Sequence, residues 1–301
     1  MNGPPFSRIV IVGLGLIGGS LAAACRKQFP RARIIGITRN RRALAQAKRK
    51  GWIHEGFQDL KRAFGGKRSR PLQPLIILCT PVDTLKNYLI QLDRIAPPGT
   101  VVTDAGSVKG FLVRWADRRP WKRIQFVGAH PMAGSHERGI DAARPDLFKQ
   151  TFAFVTPGVK KGTGHFFKKS SPSPFSRVKN FWRKICGRVI VISPEEHDRL
   201  TAEVSHLPHL VASLLVSGTS SKAGRVAGPG FLDTTRIAQG DPSLWLPILV
   251  ENRKALLAWA ADFERRLRQI RLLMGRGKVA GLRRLLAGAA RKRRALAGNI
   301  A

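Results

Sequence analysis

Residues 9–24 read IVIVGLGLIGGSLAAA, a short β-branched apolar run followed by spaced glycines and then by small apolar residues. This order predicts a strand, a tight turn and a helix. Gly13 would form the turn, Gly15 would let the backbone approach a pyrophosphate, and Gly18 would let the helix pack closely on its strand. The helix N-terminus would offer free N–H groups and a positive dipole end to the phosphates. The stretch therefore predicts a dinucleotide site that includes Gly13, Gly15, Leu16, Ile17 and Gly18.

The same stretch has a second interpretation as a leader sequence. Arg8 precedes the apolar run and Cys25 follows its small residues, as at a lipoprotein cleavage site. Glycines at nucleotide-binding spacing argue against a leader, and a second apolar run at residues 33–37 follows at the distance of a β-α-β unit. Both observations favour the dinucleotide site.

The composition is that of a globular protein with room for two domains. The chain has 301 residues, of which 43% are hydrophobic, and no uninterrupted apolar run reaches membrane-spanning length. Cys25, Cys79 and Cys186 lie in apolar segments without metal-ligand spacing. They are predicted to be buried reduced thiols, which indicates a cytoplasmic protein with no membrane association.

The net charge is the unusual feature of the composition. Lys and Arg number 54 against 18 Asp and Glu, which gives +36 and raises nucleic acid as a partner. The basic residues recur through 26–50, 160–188 and 265–294, between apolar runs typical of an ordinary core, and no nucleic-acid motif accompanies them. A basic bias of the whole proteome explains the charge equally well, so nucleic acid is not the predicted partner.

The residues after the second strand bear on the choice of cofactor. In NAD-binding domains a carboxylate at this point accepts hydrogen bonds from the ribose 2′-hydroxyl. Here no carboxylate precedes Glu55, and Arg39, Arg41 and Arg42 stand in its place. Arginines pair well with a 2′-phosphate, so the sequence favours NADP over NAD, with Arg39 as a cofactor contact. The alternative is that these are surface arginines of a very basic chain.

Strand and helix patterns alternate up to residue 192. Thr80 and Pro81 end one of the strands, at the edge where open α/β sheets bind their cofactors. Residues 158–176 are rich in Gly, Lys, Ser and Pro without an acid and predict a surface loop. The predicted strands after residue 37 are 75–79, 100–103, 125–128 and 188–192, and the predicted helices are 41–50, 82–93 and 181–186.

Ser193 begins a different part of the chain. Ser193-Pro-Glu-Glu196 has the form of a capping box, with Pro at the first helical position, and the pattern is helical from there to the end. The prediction is an α/β Rossmann-type dinucleotide-binding domain at residues 1–193. It is followed by an all-α domain at residues 194–301.

Seven short motifs in this order resemble the prephenate/arogenate dehydrogenase family of tyrosine biosynthesis. The resemblance implies that the helical domain binds substrate and forms a homodimer. It also implies an oxidative decarboxylation, in which hydride leaves C4 of a cyclohexadienol for the nicotinamide as CO2 departs. The motifs are GLGLIGGS (13–20), CTPVD (79–83), DAGSVK (104–109), GAHPMAGS (128–135), SPEEHD (193–198), VSHLPH (204–209) and LDTTRIAQGDP (232–242).

The resemblance also implies roles for individual residues. His130 would accept the proton of the substrate C4 hydroxyl, which suits a neutral imidazole, although a structural histidine before a proline is the alternative. Ser107 would hydrogen-bond the same hydroxyl or the nicotinamide amide, and a helix N-cap is its other interpretation. Lys109 is either a support for this site or a solvated lysine.

Substrate contacts are assigned in the same way. Arg236 would hold a substrate carboxylate through a bidentate fork, unless it is one more surface arginine. Asp233 would help to gate the site or form a local ion pair with Arg236. His206 would face the substrate and His209 would pack or cap. Their H-x-x-H spacing invites a metal interpretation, but the intervening proline and the lack of a third ligand predict no metal site.

Prephenate dehydrogenase is the function that the resemblance implies first, and other functions remain open beside it. Arogenate dehydrogenase is the near alternative, because the two substrates differ only in a keto or an amino group. At His136 many relatives carry Glu, which leaves the recognition of that group undecided. A β-hydroxyacid dehydrogenase would need a catalytic lysine early in the second domain, and none precedes Lys222. A nucleic-acid-binding protein on an inactive dehydrogenase fold is disfavoured because His130 and Arg236 are retained.

Overall fold

A single sheet organises the first part of the chain. The computed structural model describes residues 6–64, 74–135, 137–158 and 172–298. Neighbours in the sheet follow the order β3-β2-β1-β4-β5-β6-β7-β8. All pairs from β3 to β6 are parallel, β7 is antiparallel to β6, and β8 is parallel to β7. The strands are β1 (Arg8–Val12), β2 (Arg33–Ile37), β3 (Glu55–Phe57), β4 (Leu75–Leu78), β5 (Thr100–Asp104), β6 (Ile124–Pro131), β7 (Phe152–Thr156) and β8 (Arg188–Val191).

Helices cover both faces of the sheet, which explains why its central strands are apolar throughout. Alternate residues of β1 enter different cores: Ile9 and Ile11 point to one face, and Val10 and Val12 to the other. The first core includes side chains of α1 (Leu16–Gln28), α2 (Arg41–Arg49) and α6 (Pro174–Cys186). The second includes side chains of α3 (Leu60–Phe64), α4 (Leu85–Ile95) and α5 (Gly110–Asp117).

The strand order creates a crevice between β1 and β4. From β1 the chain runs outward through β2 and β3 on one side, and it returns to begin β4 on the other. Such a reversal leaves an open crevice at the carboxyl ends of the two central strands, where α/β proteins bind their ligands. The predicted Rossmann-type fold is confirmed.

Only helices follow β8 in the described part of the chain, as predicted. Ser193 caps the first of them, because its Oγ accepts from the Glu196 backbone N–H at 3.1 Å. A π-helical turn at Ala202–His206 interrupts a longer helical run, and a 3-10 turn covers Arg236–Gln239. The helices are α7 (Pro194–Thr201), α8 (Leu207–Ser217), α9 (Ser221–Gly224), α10 (Pro229–Thr235), α11 (Pro242–Glu251), α12 (Arg253–Gly275) and α13 (Val279–Gly298).

Packing divides the chain into two compact units. The first ends at Arg253, and the second begins at Lys254 and comprises the rest of α12 together with α13. The predicted domain boundary at residue 193 is a different division, which marks the change from mixed α/β to helical structure. It stays a prediction. No helix in the described ranges is long and apolar enough to cross a membrane.

Three local predictions need correction. Strands β3 and β7 were not predicted, because β3 has only three residues and β7 follows a run of turns that hides its apolar pattern. Helix α6 begins at Pro174 rather than at residue 181, since Ser173 caps it by accepting from the Ser176 N–H. The end of the predicted 158–176 loop is therefore helical, and its residues 159–171 lie outside the described residues.

Candidate active site

The glycine turn after β1 has the geometry that its sequence predicts. Gly13 has φ +93°, and a Cβ there would lie 2.7 Å from the carbonyl oxygen of Cys79. A Cβ on Gly18 would lie 1.8 Å from the carbonyl oxygen of Gly13, so α1 approaches β1 as closely as backbone allows. A Cβ on Gly15 would meet nothing within 4 Å. No side chain caps the helix at Gly15, and the first N–H groups of α1 are left for a ligand.

Two cavities meet at this turn. One, of about 560 Å³, extends from Gly15 toward His130 and His206. The other, of about 650 Å³, extends from Gly13 toward Arg39. Gly15, Thr80 and Pro81 line both cavities, while Leu16 and Ile17 line only the first. The predicted cofactor contacts thus lie along one crevice, except for Gly18, whose role is the close packing of α1. We call the first cavity the catalytic cleft.

The arginines after β2 have different environments. Arg39 lines the second cavity, whereas Arg42 pairs with Asp141 at 3.2 Å. Asp59, an acidic residue that no predicted motif includes, also lines this cavity. Its Oδ1 accepts from the Arg62 N–H at 2.8 Å, so Asp59 serves the first turn of α3.

A buried ion pair supports the floor of the catalytic cleft. Asp104 at the end of β5 and Lys109 are both fully buried and bonded to each other. Asp104 also accepts the N–H groups of Gly106 and Ala129, each at 3.0 Å. Burial raises the pKa of the Asp104 carboxyl and lowers that of the Lys109 ammonium, while the charge of each partner acts in the opposite direction. Lys109 is therefore a support for the site and not a solvated lysine.

Asp198, on α7, caps helix α5 from a distance of 88 residues in sequence. Its two carboxylate oxygens accept the N–H groups of Lys109 and Gly110, each at 2.8 Å. A helix N-cap here is the alternative prediction for Ser107. Helix α5 starts only at Gly110, so that alternative is wrong, and Ser107 instead lines the catalytic cleft.

A chain of hydrogen bonds connects Asp198 to His130. The Asp198 carboxylate is 2.8 Å from His197 Nδ1, and His197 Nε2 is 2.9 Å from His130 Nδ1. A carboxylate accepts, so His197 carries its proton on Nδ1 and its Nε2 accepts in turn. His130 must then donate from Nδ1, which leaves its Nε2 unprotonated. Because His130 lines the catalytic cleft, the chain presents a proton acceptor there.

Burial keeps the two histidines of this hydrogen-bonded series, His130 and His197, neutral. It lowers the pKa of His130 well below the ordinary value, and the nearby His197, Lys109 and His206 lower it further. The pKa of His197 is lowered well below the ordinary value for the same first reason. Phe154 packs edge-on against the His197 ring with centroids 5.1 Å apart, which contributes to this apolar environment. A neutral His130 is the form that can take a proton.

The π-helical turn carries a second histidine to the cleft. Pro208 has no N–H to offer the carbonyl four residues earlier, and the wider turn at Ala202–His206 accommodates this loss. Ser205 and His206 both line the cleft, and the contact of His206 with substrate stays a prediction. Burial lowers the pKa of His206 to about 4. His209 instead stacks on Trp245 with ring centroids 3.7 Å apart.

The predicted carboxylate-binding residues lie outside the cleft lining. Arg236 and Asp233 are exposed, and the structure shows no ion pair between these two described residues. Gly240, which follows the turn that carries Arg236, lies against Trp245, a residue of the cleft lining. Arg138, which none of the seven motifs includes, lies in the cleft lining and pairs with Asp241. The predicted departure at His136 lies outside the described residues.

The three cysteines match their prediction only in part. Cys25 and Cys186 are buried and free, as predicted, but Cys79 is free and only half-buried because it lines both cavities. In the described ranges no three or more His, Cys, Asp or Glu side chains are grouped to hold a metal ion.

Comparison with known proteins matches most of the chain to one family. Residues 21–191 match the family model "Prephenate dehydrogenase, nucleotide-binding domain", and residues 193–288 match "Prephenate dehydrogenase, dimerization domain". The chain belongs to the prephenate dehydrogenase family. A prephenate dehydrogenase of Bacillus subtilis is 36% identical over 87% of this chain and 69% of its own length.

Solved structures of the family superpose on nearly the whole chain. A prephenate dehydrogenase from A. aeolicus, in complex with hydroxyphenyl propionate and NAD+, has a TM-score of 0.84 and 31% identity, covering 95% of this chain and 97% of that one. An arogenate dehydrogenase from Synechocystis has a TM-score of 0.74 and 29% identity, covering 95% and 98%. The family is thus an oxidoreductase family whose named members include both specificities.

No role was predicted for His197, Asp198 or Asn252, all three of which are buried in the structure. His197 and Asp198 stand in the SPEEHD motif, which was quoted without a role for them. The feature that could identify them is a pair of polar side chains buried on one helix. That burial can be recognised only from the packing of α7 on α5. Asn252 is 3% exposed at the end of α11 and belongs to none of the seven motifs.

Proposed function

We propose that this protein is a prephenate dehydrogenase, which converts prephenate to 4-hydroxyphenylpyruvate and CO2 with hydride transfer to a nicotinamide dinucleotide. The observation that carries the proposal is the Asp198–His197–His130 chain, which ends on an unprotonated Nε2 in the cleft beside the dinucleotide turn. The reaction needs a base for the C4 hydroxyl at this place. Arogenate dehydrogenase is the second candidate, favoured by the similarity to the Synechocystis enzyme.

The glycine turn fits a dinucleotide. Gly15 has open space where a Cβ would stand, and the uncapped N-terminus of α1 offers N–H groups to phosphates. The second cavity would take the adenosine half and the catalytic cleft the nicotinamide half. The bound nicotinamide supplies the hydride acceptor.

Side chains of the protein position the substrate and take its hydroxyl proton. His130 Nε2 accepts the C4 hydroxyl proton as hydride leaves the same carbon. Loss of the ring carboxylate as CO2 then makes the ring aromatic, and His130 returns the proton to the C4 oxygen to give the phenol of the product. His197 holds the His130 ring, and the Asp198 carboxylate stabilises the positive charge that His130 acquires. Ser107 lines the same cleft and is assigned to the hydroxyl or to the nicotinamide amide.

A homodimer is part of this proposal. The match to a dimerization-domain model supports it, and so do apolar side chains left exposed on the helices after residue 207. Leu214 is 68% exposed and Leu246 is 63% exposed in the single chain, and a second subunit would cover such side chains.

The direct test uses the purified full chain with prephenate and either NADP or NAD. Reduced nicotinamide should accumulate, and the His130→Asn variant should be nearly inactive under the same conditions. Turnover of arogenate alone would replace the proposal by its second candidate. No turnover with either substrate, from protein that is folded and binds dinucleotide, would contradict both.

NADP is the proposed cofactor, with Arg39 as the partner of its 2′-phosphate. Replacing Arg39 by alanine should raise KM for NADP about 10- to 100-fold, the effect expected for one charged hydrogen bond, and leave KM for NAD nearly unchanged. Arg41→Ala is the matched control, because Arg41 is an exposed neighbour outside both cavity linings. Equal effects on the two cofactors, or none, would contradict the NADP assignment.

Arg236 is proposed to hold a substrate carboxylate, with Asp233 as its helper at the edge of the site. Replacing Arg236 by alanine should raise KM steeply and remove about 2–4 kcal/mol of transition-state stabilisation, as expected for a charged contact from which the bound substrate excludes water. Arg138→Ala is the comparison, and its effect should be smaller because Arg138 is paired with Asp241. Unchanged kinetics for Arg236→Ala together with a raised KM for Arg138→Ala would move the assignment to Arg138.

A further inference from the structure

Asn252 connects the two histidines of the catalytic cleft. Its side chain contacts His206 directly, and it also contacts Asp198, which is linked to His130. Its side-chain nitrogen Nδ2 lies 2.8 Å from the backbone carbonyl oxygen of Asp198 and 2.9 Å from His206 Nδ1. Asn252 is 3% exposed and His206 is 1% exposed, so water does not compete for these bonds. Asp198 is also the residue whose carboxylate begins the chain to His130.

These contacts determine which nitrogen of His206 carries the proton. The Asp198 carbonyl oxygen can only accept, so the amide of Asn252 must turn its NH₂ group toward it. The second N–H of that group is then donated to His206 Nδ1, which must be unprotonated to accept it. A neutral His206 therefore carries its proton on Nε2.

The Nε2–H of His206 has no hydrogen-bond partner among the described residues and is buried. A buried donor without a partner is costly, and such groups in native structures call for an explanation. His206 lines the catalytic cleft together with His130. The unpartnered donor therefore lies where an oxygen of a bound ligand would satisfy it.

We propose that Asn252 is a positioning residue that holds His206 as an Nε2–H donor for a carboxylate or carbonyl oxygen of the substrate. Asp198 thereby gives the two cleft histidines opposite roles. Its side chain makes His130 an acceptor through His197, and its backbone carbonyl makes His206 a donor through Asn252. The cleft can then take a hydroxyl proton at one histidine and bind an acceptor oxygen at the other. The identity of the ligand rests on the proposed function, whereas the tautomer does not.

The tautomer is measured first, by two-bond ¹H–¹⁵N NMR correlations of the histidine rings in the ligand-free full chain at neutral pH. His206 should show a protonated Nε2 and an unprotonated Nδ1. The isosteric Asn252→Asp variant places an acceptor beside Nδ1 and should bring a proton onto that nitrogen. A wild-type His206 protonated on Nδ1, or the same spectrum in both proteins, would overturn the proposal whether or not prephenate is the substrate.

Kinetics then tests the use of that donor. Asn252→Asp should raise KM for prephenate at least about 10-fold, with a smaller effect on kcat and none on KM for the dinucleotide. In a His206→Gln background, whose amide supplies its own N–H, Asn252→Asp should add little. The exposed Asn87 provides the control Asn87→Asp, which should behave as wild type. Fully additive effects of the Asn252 and His206 substitutions would mean a merely structural role for Asn252.

Discussion

Replacement of His130 by asparagine is expected to lower kcat about 100- to 10,000-fold, the usual contribution of a positioned general base. The asparagine Nδ2 occupies roughly the place of His130 Nδ1 and can still donate to His197, so the local packing is retained. What the variant lacks is the unprotonated Nε2 in the cleft. Affinity for the dinucleotide should stay nearly unchanged, because the glycine turn and the second cavity are untouched.

The pH profile of the wild-type enzyme tests the same role independently. Because burial lowers the pKa of His130, the base remains unprotonated throughout the neutral range. The value of kcat/KM should therefore stay level as the pH falls to about 6.5, the ordinary histidine pKa, and decline only below it. Weakened dinucleotide binding with an unchanged kcat in His130→Asn would instead mean that His130 has a structural role.

Replacement of Lys109 by methionine is expected to lower the free energy of unfolding by about 3–5 kcal/mol, as for other buried ion pairs that lose one partner. Asp104 would remain fully buried, with the N–H groups of Gly106 and Ala129 but without its cation. Denaturant unfolding followed by circular dichroism measures the loss. The exposed Lys149 gives the control Lys149→Met, which should change the stability by no more than about 0.5 kcal/mol.

A double variant separates the charge from the packing. Asp104→Asn with Lys109→Met removes both charges. Its single amide oxygen can accept one of the two backbone N–H groups, since Gly106 N–H bonds to Asp104 Oδ2 and Ala129 N–H to Asp104 Oδ1. The double variant should be more stable than Lys109→Met alone, because no uncompensated charge is then buried. A Lys109→Met protein as stable as wild type, or a double variant that loses the sum of both single effects, would contradict the buried ion pair.

The sequence predicts best those features that depend on neighbouring residues. The glycine turn, the apolar strands and the Ser193 cap each follow from local backbone requirements, and the structure shows all three. Strand β3 escaped prediction because three residues give no period, and the start of α6 was hidden in a Ser- and Pro-rich stretch.

Features that depend on contacts distant in sequence could not be predicted. Nothing in the sequence distinguishes Lys109 from a surface lysine. Only the packing of α7 against α5 shows that it is buried beside Asp104. His197 and Asp198 acquire their roles through His130, which lies 67 residues from His197 in the sequence. Arg236 illustrates the reverse case, since its motif predicts a contact with substrate that the cleft lining of this chain does not include.

The most direct test of the account is a stoichiometry measurement on one protein preparation. Prephenate and arogenate are each supplied with NADP or NAD, and reduced nicotinamide, CO2 and the aromatic product are quantified together. We expect equal amounts of reduced nicotinamide, CO2 and 4-hydroxyphenylpyruvate from prephenate, with NADP preferred, and almost none of the three from His130→Asn. Reduced nicotinamide without CO2, or no product from either substrate, would contradict oxidative decarboxylation in this cleft.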